Sequence, residues 1–415
     1  MIVFVISSGP MQYLVAGVLR RSQDPNFSDS LAALQTPRRV LCICVQPPVE
    51  MYVPFARGQY GLSCMPGTAT KHAPGCSHYE PPLSISGAGA VMGSAIESND
   101  AGDITLRLDF PVSKIAGKAP PAPSGLTPET AKVDSTKLTM RALLHYLWQE
   151  AGFHKWSPRM EGKRNDWVLH KYLLKAADGK RIKVGALSDV LVIPRPSQSQ
   201  SAGPAGAQSA VDLHVTLQLA RAATDPSGGR RLALVLGEVL HIEDRSTPRR
   251  FFLRGLDKGL LVSHDLFKML EKAFSSQLAL WQKGSNRLMM LATFYNDTVG
   301  NPVLSELTLM NTTLDFLPFE SVFEEQMLAR LVTAHRRFTK GLRFNLNRKI
   351  QIATAVLTDT ESPTAIFIVS PGADQDSLSI QVEEAEQENL ATLVWRAGID
   401  SEPALPDVFS ADRMY

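Results

Sequence analysis

Cysteine is scarce and confined in this 415-residue chain: there are four, and none lies outside the stretch from Cys42 to Cys76. That excludes a disulfide framework spread over the molecule. Net charge is also nearly absent, at +2, so no global field draws the protein toward nucleic acid or a membrane surface. No apolar run approaches the roughly 20 residues of a membrane span, so no membrane partner is expected. The opening Met1-Ile2-Val3-Phe4-Val5-Ile6 lacks a basic start and ends quickly at Ser7-Ser8-Gly9-Pro10. It reads as a short strand, or as an extension upstream of a start at Met11, and not as an export signal; a cytoplasmic location follows as the expectation. No internal repeat and no complete catalytic motif occurs.

What is present is a tight group of soft ligands. Cys42-Ile43-Cys44 is followed by Cys64 and then by His72-Ala73-Pro74-Gly75-Cys76-Ser77-His78. Thiolates and imidazoles grouped in this way suit a tetrahedral metal site, most commonly zinc. A Cys-x-Cys pair supplies two ligands with a local bend. The Pro74-Gly75 turn can fold His72 and Cys76 toward each other. The expected set is Cys42, Cys44, His72 and Cys76, holding a structural zinc, with Cys64 or His78 as substitutes. The variant that uses His78, Cys-x-Cys…Cys-x-His, is similar to a SWIM-type zinc finger. Unligated buried thiols are the main competing reading. A redox role lacks a Cys-x-x-Cys pair beside a βαβ unit.

A 44% hydrophobic and 20% charged composition is that of an ordinary globular protein, and the length suits two to four domains. The fold class expected is α+β and multidomain. A cysteine-rich module occupies 1–115, a helical segment with a basic turn 136–194, an α+β domain 211–317 and an α/β unit 318–400. Pro/Ala/Ser-rich linkers at 116–135 and 194–210 separate them. In the helical segment Thr139 can cap a helix to Glu150, and a second helix runs from about Asp166 to Ala177. The connection from Phe153 to Asn165 interleaves aromatic and basic residues, so Lys155, Lys163 and Arg164 are candidates for phosphate contact, as is Arg343 further on. The competing reading is a solvated basic loop between two core helices.

The last unit reads as a helix over about Glu320–Phe338, strands at Gly341–Leu346, Ile350–Asp359 and Ala365–Val369, a helix, and a strand at Thr392–Arg396. That α-β-β-β-α-β order resembles the core of restriction-endonuclease-like nucleases. The resemblance implies a helix acid, from Glu320, Glu324 or Glu325, and a strand acid, Asp359, as metal ligands. The third strand, Ala365-Ile366-Phe367-Ile368-Val369, has neither the acid nor the lysine of that motif. A degenerate core without nuclease activity is therefore the expectation, with a metal-dependent nuclease as the alternative.

Several stretches taken together carry a wider resemblance. They are Leu41-Cys42-Ile43-Cys44, Met51-Tyr52-Val53, Met65-Pro66-Gly67-Thr68, His72…Cys76, Tyr79-Glu80-Pro81-Pro82, Gly162-Lys163-Arg164-Asn165, Leu169-His170-Lys171-Tyr172-Leu173, Pro318-Phe319-Glu320-Ser321 and Leu357-Thr358-Asp359-Thr360. Over roughly 40–400 the chain resembles an uncharacterised bacterial domain-of-unknown-function family with N-terminal cysteines, often found on mobile or integrative DNA elements. In that family the Cys-x-Cys pair and the later Cys are kept, and a basic residue usually stands where this chain has Cys64. The resemblance implies Cys42, Cys44 and Cys76 as the ligand core. It also implies a nucleic-acid-associated accessory protein, with DNA and other mobile-element proteins as partners. An interaction scaffold without catalysis is the third reading.

Overall fold

The computed structural model describes residues 11–56, 59–65, 67–98, 104–114, 136–196, 230–244, 248–371 and 374–409. The linker expected at 116–135, most of that at 194–210 and the first ten residues lie outside these. The described chain is a mixed α+β protein.

Near the N-terminus five short antiparallel strands form a sheet in the order Val18–Arg21, Gln12–Val15, Arg39–Cys42, Val49–Tyr52, Ser63–Cys64. Alternation along two of them turns Tyr13, Val15, Val40 and Cys42 inward, the period-2 pattern of a half-buried strand. These residues and Met51 make a small core that includes Cys44 and Cys76.

The helix Met140–Glu150 starts where Thr139 accepts a hydrogen bond from Ala142 N. Eight of its eleven residues are buried, so it is sheathed on nearly all sides. It anchors the largest core, which draws on residues from Ala88 to Phe344. Asn165 caps the second helix, Asp166–Ala177, through Val168 N. That helix buries Leu169, Leu173, Ala176 and Ala177, whereas Tyr172 is exposed. Thr139→Ala should cost about 1 kcal/mol in a denaturant titration, since it strands one helix-terminal N–H without adding a cavity.

The largest sheet closes on itself. Ala233–Glu243 pairs with Arg249–Leu253, which pairs with Leu260–Val262. That third strand lies parallel to Pro302–Thr312, which pairs with Arg287–Asn296, and the latter returns to Ala233–Glu243. The helices His264–Ala273 and Ser275–Gln282 connect the third strand to the fourth. This five-stranded ring, with its helical insertion and its parallel third and fifth strands, has the connectivity of an OB-type barrel. A register shift between Val239 and His241 lets the long first strand bend from one pairing to the other. Asp166 and Glu238 both accept from Arg287 Nη1, at 2.7 and 2.8 Å, which ties the second helix to the barrel wall.

The C-terminal sheet has the order Lys155–Trp156, Phe338–Lys340, Ala355–Leu357, Thr364–Val369, Ala391–Arg396, antiparallel except for the last pair. With Phe338–Lys340 as the first strand, the helices Val322–Thr333 and Gln375–Gln387 give an α-β-β-β-α-β order, though not with the expected segments. The expected strand at Gly341–Leu346 is instead an irregular buried loop, with Phe344 at φ +46°. Its polar groups are met by the first helix: Phe344 N donates to His145 Nδ1, and Arg141 donates to Phe344 O and Leu346 O. Burial holds the His145 imidazole down at about 3, so it stays neutral and accepts.

Candidate metal centre

Two segments converge beneath the N-terminal sheet. Cys42 ends an inward-alternating strand, and Cys44 follows one bend later. His72 caps the 3₁₀ turn Ala69–Lys71. The Pro74-Gly75 turn, closed by Cys76 N donating to Ala73 O at 2.8 Å, then folds Cys76 back beside it. The structure brings the donor atoms of Cys42, Cys44, His72 and Cys76 within 4.8 Å of one another, all four buried.

Three of the cluster's six edges lie near the spacing of donors around a tetrahedral ion. Cys42 Sγ is 3.9 Å from Cys76 Sγ, and His72 Nδ1 is 3.3 Å from Cys44 Sγ and 3.6 Å from Cys76 Sγ. Donors about 2.0–2.3 Å from a tetrahedral centre stand about 3.5–3.8 Å apart. A disulfide, with sulfurs about 2.04 Å apart, does not describe these free cysteines.

Electrostatics point the same way. Hydrogen bonds from Cys42 and Cys76, with help from His72 and Ala73 N–H, hold the Cys44 thiol far below its usual range. The two donors shift the other way: donating a hydrogen bond to Cys44 pushes Cys42 up to about 12, and Cys76 rises further for donating to both. The three thiols are thus linked by hydrogen bonds that favour the negative charge on Cys44. A divalent ion bound here would displace thiol protons, which is how such sites couple metal binding to proton release. Backbone N–H groups already face two sulfurs, Ala73 N to Cys44 and His78 N to Cys76, each at 3.4 Å. These donors stabilise thiolate charge.

The two substitute ligands sit outside the four. Cys64 Sγ lies behind the His72 ring, 3.6 Å from Nε2, and burial pushes its thiol up to about 11. His78 Nε2 is 2.8 Å from Tyr13 Oη, and burial lowers the imidazole to about 4.

Sequence reasoning missed what clamps the cysteine segment. Lys155 Nζ donates to Ser77 O and Tyr79 O at 3.0 and 2.7 Å and pairs with Glu80 at 2.8 Å. His154 Nε2 lies 3.1 Å from the other Glu80 oxygen, and Arg337 donates to Gly75 O at 3.2 Å. Although burial alone would raise it, Lys155 and His154 together hold the Glu80 carboxyl down to about 2. Its folded value is depressed, so its contribution to stability is complete above its unfolded value near 4.5. That contribution should fade as pH falls from about 4.5 to about 2, and Glu80→Gln should flatten this part of a pH–stability curve.

Of the cations considered for phosphate contact, three are committed to the fold. Lys155 is held as above. Arg164 donates to the carbonyls of Gly152, Phe153, Lys155 and Asp315 and stacks on Phe153 and Trp156. Arg343 pairs with Glu320 at 2.8 Å and donates to Asn347 O and Ile350 O. Lys163 alone of the four is exposed. The acids considered for catalysis are spoken for in the same way. Both Asp359 oxygens accept from the Arg336 guanidinium, and one also takes Arg337 N at 2.7 Å. Glu324 pairs with Lys340 at 3.3 Å, and Glu325 faces Ser285 and Asn286. Among the described residues the four-ligand cluster is the single group of three or more such side chains able to hold a metal. The third strand, Thr364–Val369, is buried throughout.

No curated protein and no solved structure matches the chain. A family model described as a protein of unknown function, DUF1173, matches residues 13–398, a span that takes in the Cys/His cluster, the barrel and the C-terminal sheet. The chain belongs to the DUF1173 family.

Proposed function

We propose that this protein is a zinc-stabilised, nucleic-acid-associated accessory factor without catalytic activity, working in the cytoplasm on bacterial mobile DNA. The observation that carries the zinc reading is closure: all four positions around the cluster belong to the protein, and Cys42 and His72 are 0% and 2% exposed. A catalytic zinc keeps a position open for water or substrate, whereas a structural one does not. Three thiolates and one imidazole also select zinc over harder ions. Reduced thiols of this kind persist in the cytoplasm. Elemental analysis of the purified protein should find about one zinc per chain, and none after Cys42→Ser with Cys44→Ser.

Support for nucleic acid rests on the barrel, not on the helical segment. OB-type barrels bind oligonucleotides and oligosaccharides across their second and third strands. At the edge of that face His241, from the first strand, stacks on Phe252 of the second, with ring centroids 4.3 Å apart and planes within 11°, beside the exposed Arg250. DNA binding that weakens steeply between 50 and 200 mM salt supports this reading; no binding at low salt overturns it.

A further inference from the structure

We infer that Cys64 is not a spare ligand but the positioning residue of the metal centre, fixing the His72 ring so that Nδ1 faces the ion. This inference rests on the zinc reading and extends it to a fifth side chain. His72 stands between two sulfur environments. Its Nδ1 looks into the cluster, toward Cys44 and Cys76, while its Nε2 looks away, toward Cys64 Sγ at 3.6 Å.

A ligating imidazole is neutral and binds through its lone pair. With Nδ1 turned to the ion, the ring proton is on Nε2, and that N–H donates to Cys64 Sγ. The Cys64 S–H has its own acceptor, His78 O, at 3.5 Å. The thiol therefore accepts from the ligand and donates to the backbone, a continuous chain in which each group has a defined role. Cys64 is placed by the sheet itself, paired with Met51, whose strand lies against the one that ends in Cys42. The sheet that presents Cys42 to the ion thus also holds the back of the opposing histidine. A carboxylate or carbonyl usually serves this second position; here a protonated thiol fills it.

X-ray absorption of the zinc-loaded full chain separates this role from ligation without any variant. Three sulfurs near 2.3 Å and one nitrogen near 2.0 Å are expected; four sulfurs would place Cys64 on the metal and overturn the inference. Cys64→Ala should retain one zinc per chain and weaken zinc affinity about 10- to 100-fold in a chelator competition. Its cobalt-substituted form should keep the charge-transfer intensity of three thiolates. Cys64→Ser, which keeps a hydroxyl able to accept and donate, should recover part of the affinity. Unchanged affinity in Cys64→Ala, or loss of metal equal to that of Cys42→Ser, would overturn the inference while the zinc reading stands. A wild-type protein that binds no zinc removes both.

Discussion

A chain carrying Cys42→Ser and Cys44→Ser should lose its metal and its N-terminal tertiary structure together. Structural zinc contributes on the order of 10 kcal/mol or more to small sites, comparable to the whole stability of a typical domain. The core beneath this sheet is small and includes Cys42, Cys44 and Cys76 themselves. Little else there replaces the ion. The damage should also spread along a defined route. Lys155 and Arg337 spend their donors on the carbonyls of Gly75, Ser77 and Tyr79. Lys155 lies in the first strand of the C-terminal sheet, paired with Thr339. Hydrogen exchange should therefore rise at Lys155–Trp156 and in the cysteine segment while the barrel strands stay protected. Uniform loss of protection, or none, would argue against this coupling.

Asp359→Ala should be the most damaging single change in the C-terminal sheet, costing about 3–5 kcal/mol in urea unfolding. Arg336 is 2% exposed, and Asp359 meets it through two hydrogen bonds at 2.8 and 3.1 Å. Removing the carboxylate leaves a buried guanidinium with one remaining partner, Pro406 O. It also orphans Arg337 N, which lies next to the clamp on Gly75. Asp359→Asn, which keeps an acceptor but not the charge, should fall between. The nuclease alternative predicts something different: Mg²⁺-dependent DNA cleavage abolished in a variant that remains stably folded. The Arg336 contact favours the structural outcome, because a carboxylate already taken at both oxygens is poorly placed to ligate a metal.

These two sites differ in how far the sequence revealed them. The convergence of Cys42, Cys44, His72 and Cys76 was visible because its parts are local: a Cys-x-Cys pair, a Pro-Gly turn and a histidine four residues before a cysteine. Both long middle helices were equally visible, since Thr139 and Asn165 are caps followed by apolar stripes. The basic loop misled because its partners are remote. Arg164 reaches Asp315, and Lys155 reaches Ser77, contacts that no periodicity predicts. The strand expected at Gly341–Leu346 failed for a related reason. Leu342 and Phe344 alternate as a strand would, but Arg141 and His145 from the first helix satisfy this backbone in an irregular path. Closure of the barrel was illegible too. The pairing of Ala233–Glu243 with Arg287–Asn296 joins segments more than forty residues apart.

The closed, four-ligand zinc centre is the claim on which the rest depends, and native mass spectrometry of the full chain under non-denaturing conditions tests it most directly. The predicted spectrum shows a compact charge distribution carrying one zinc per chain, with zinc lost only as the distribution shifts to unfolded states. A compact, metal-free chain whose thermal unfolding is unchanged by zinc or by a chelator would contradict it.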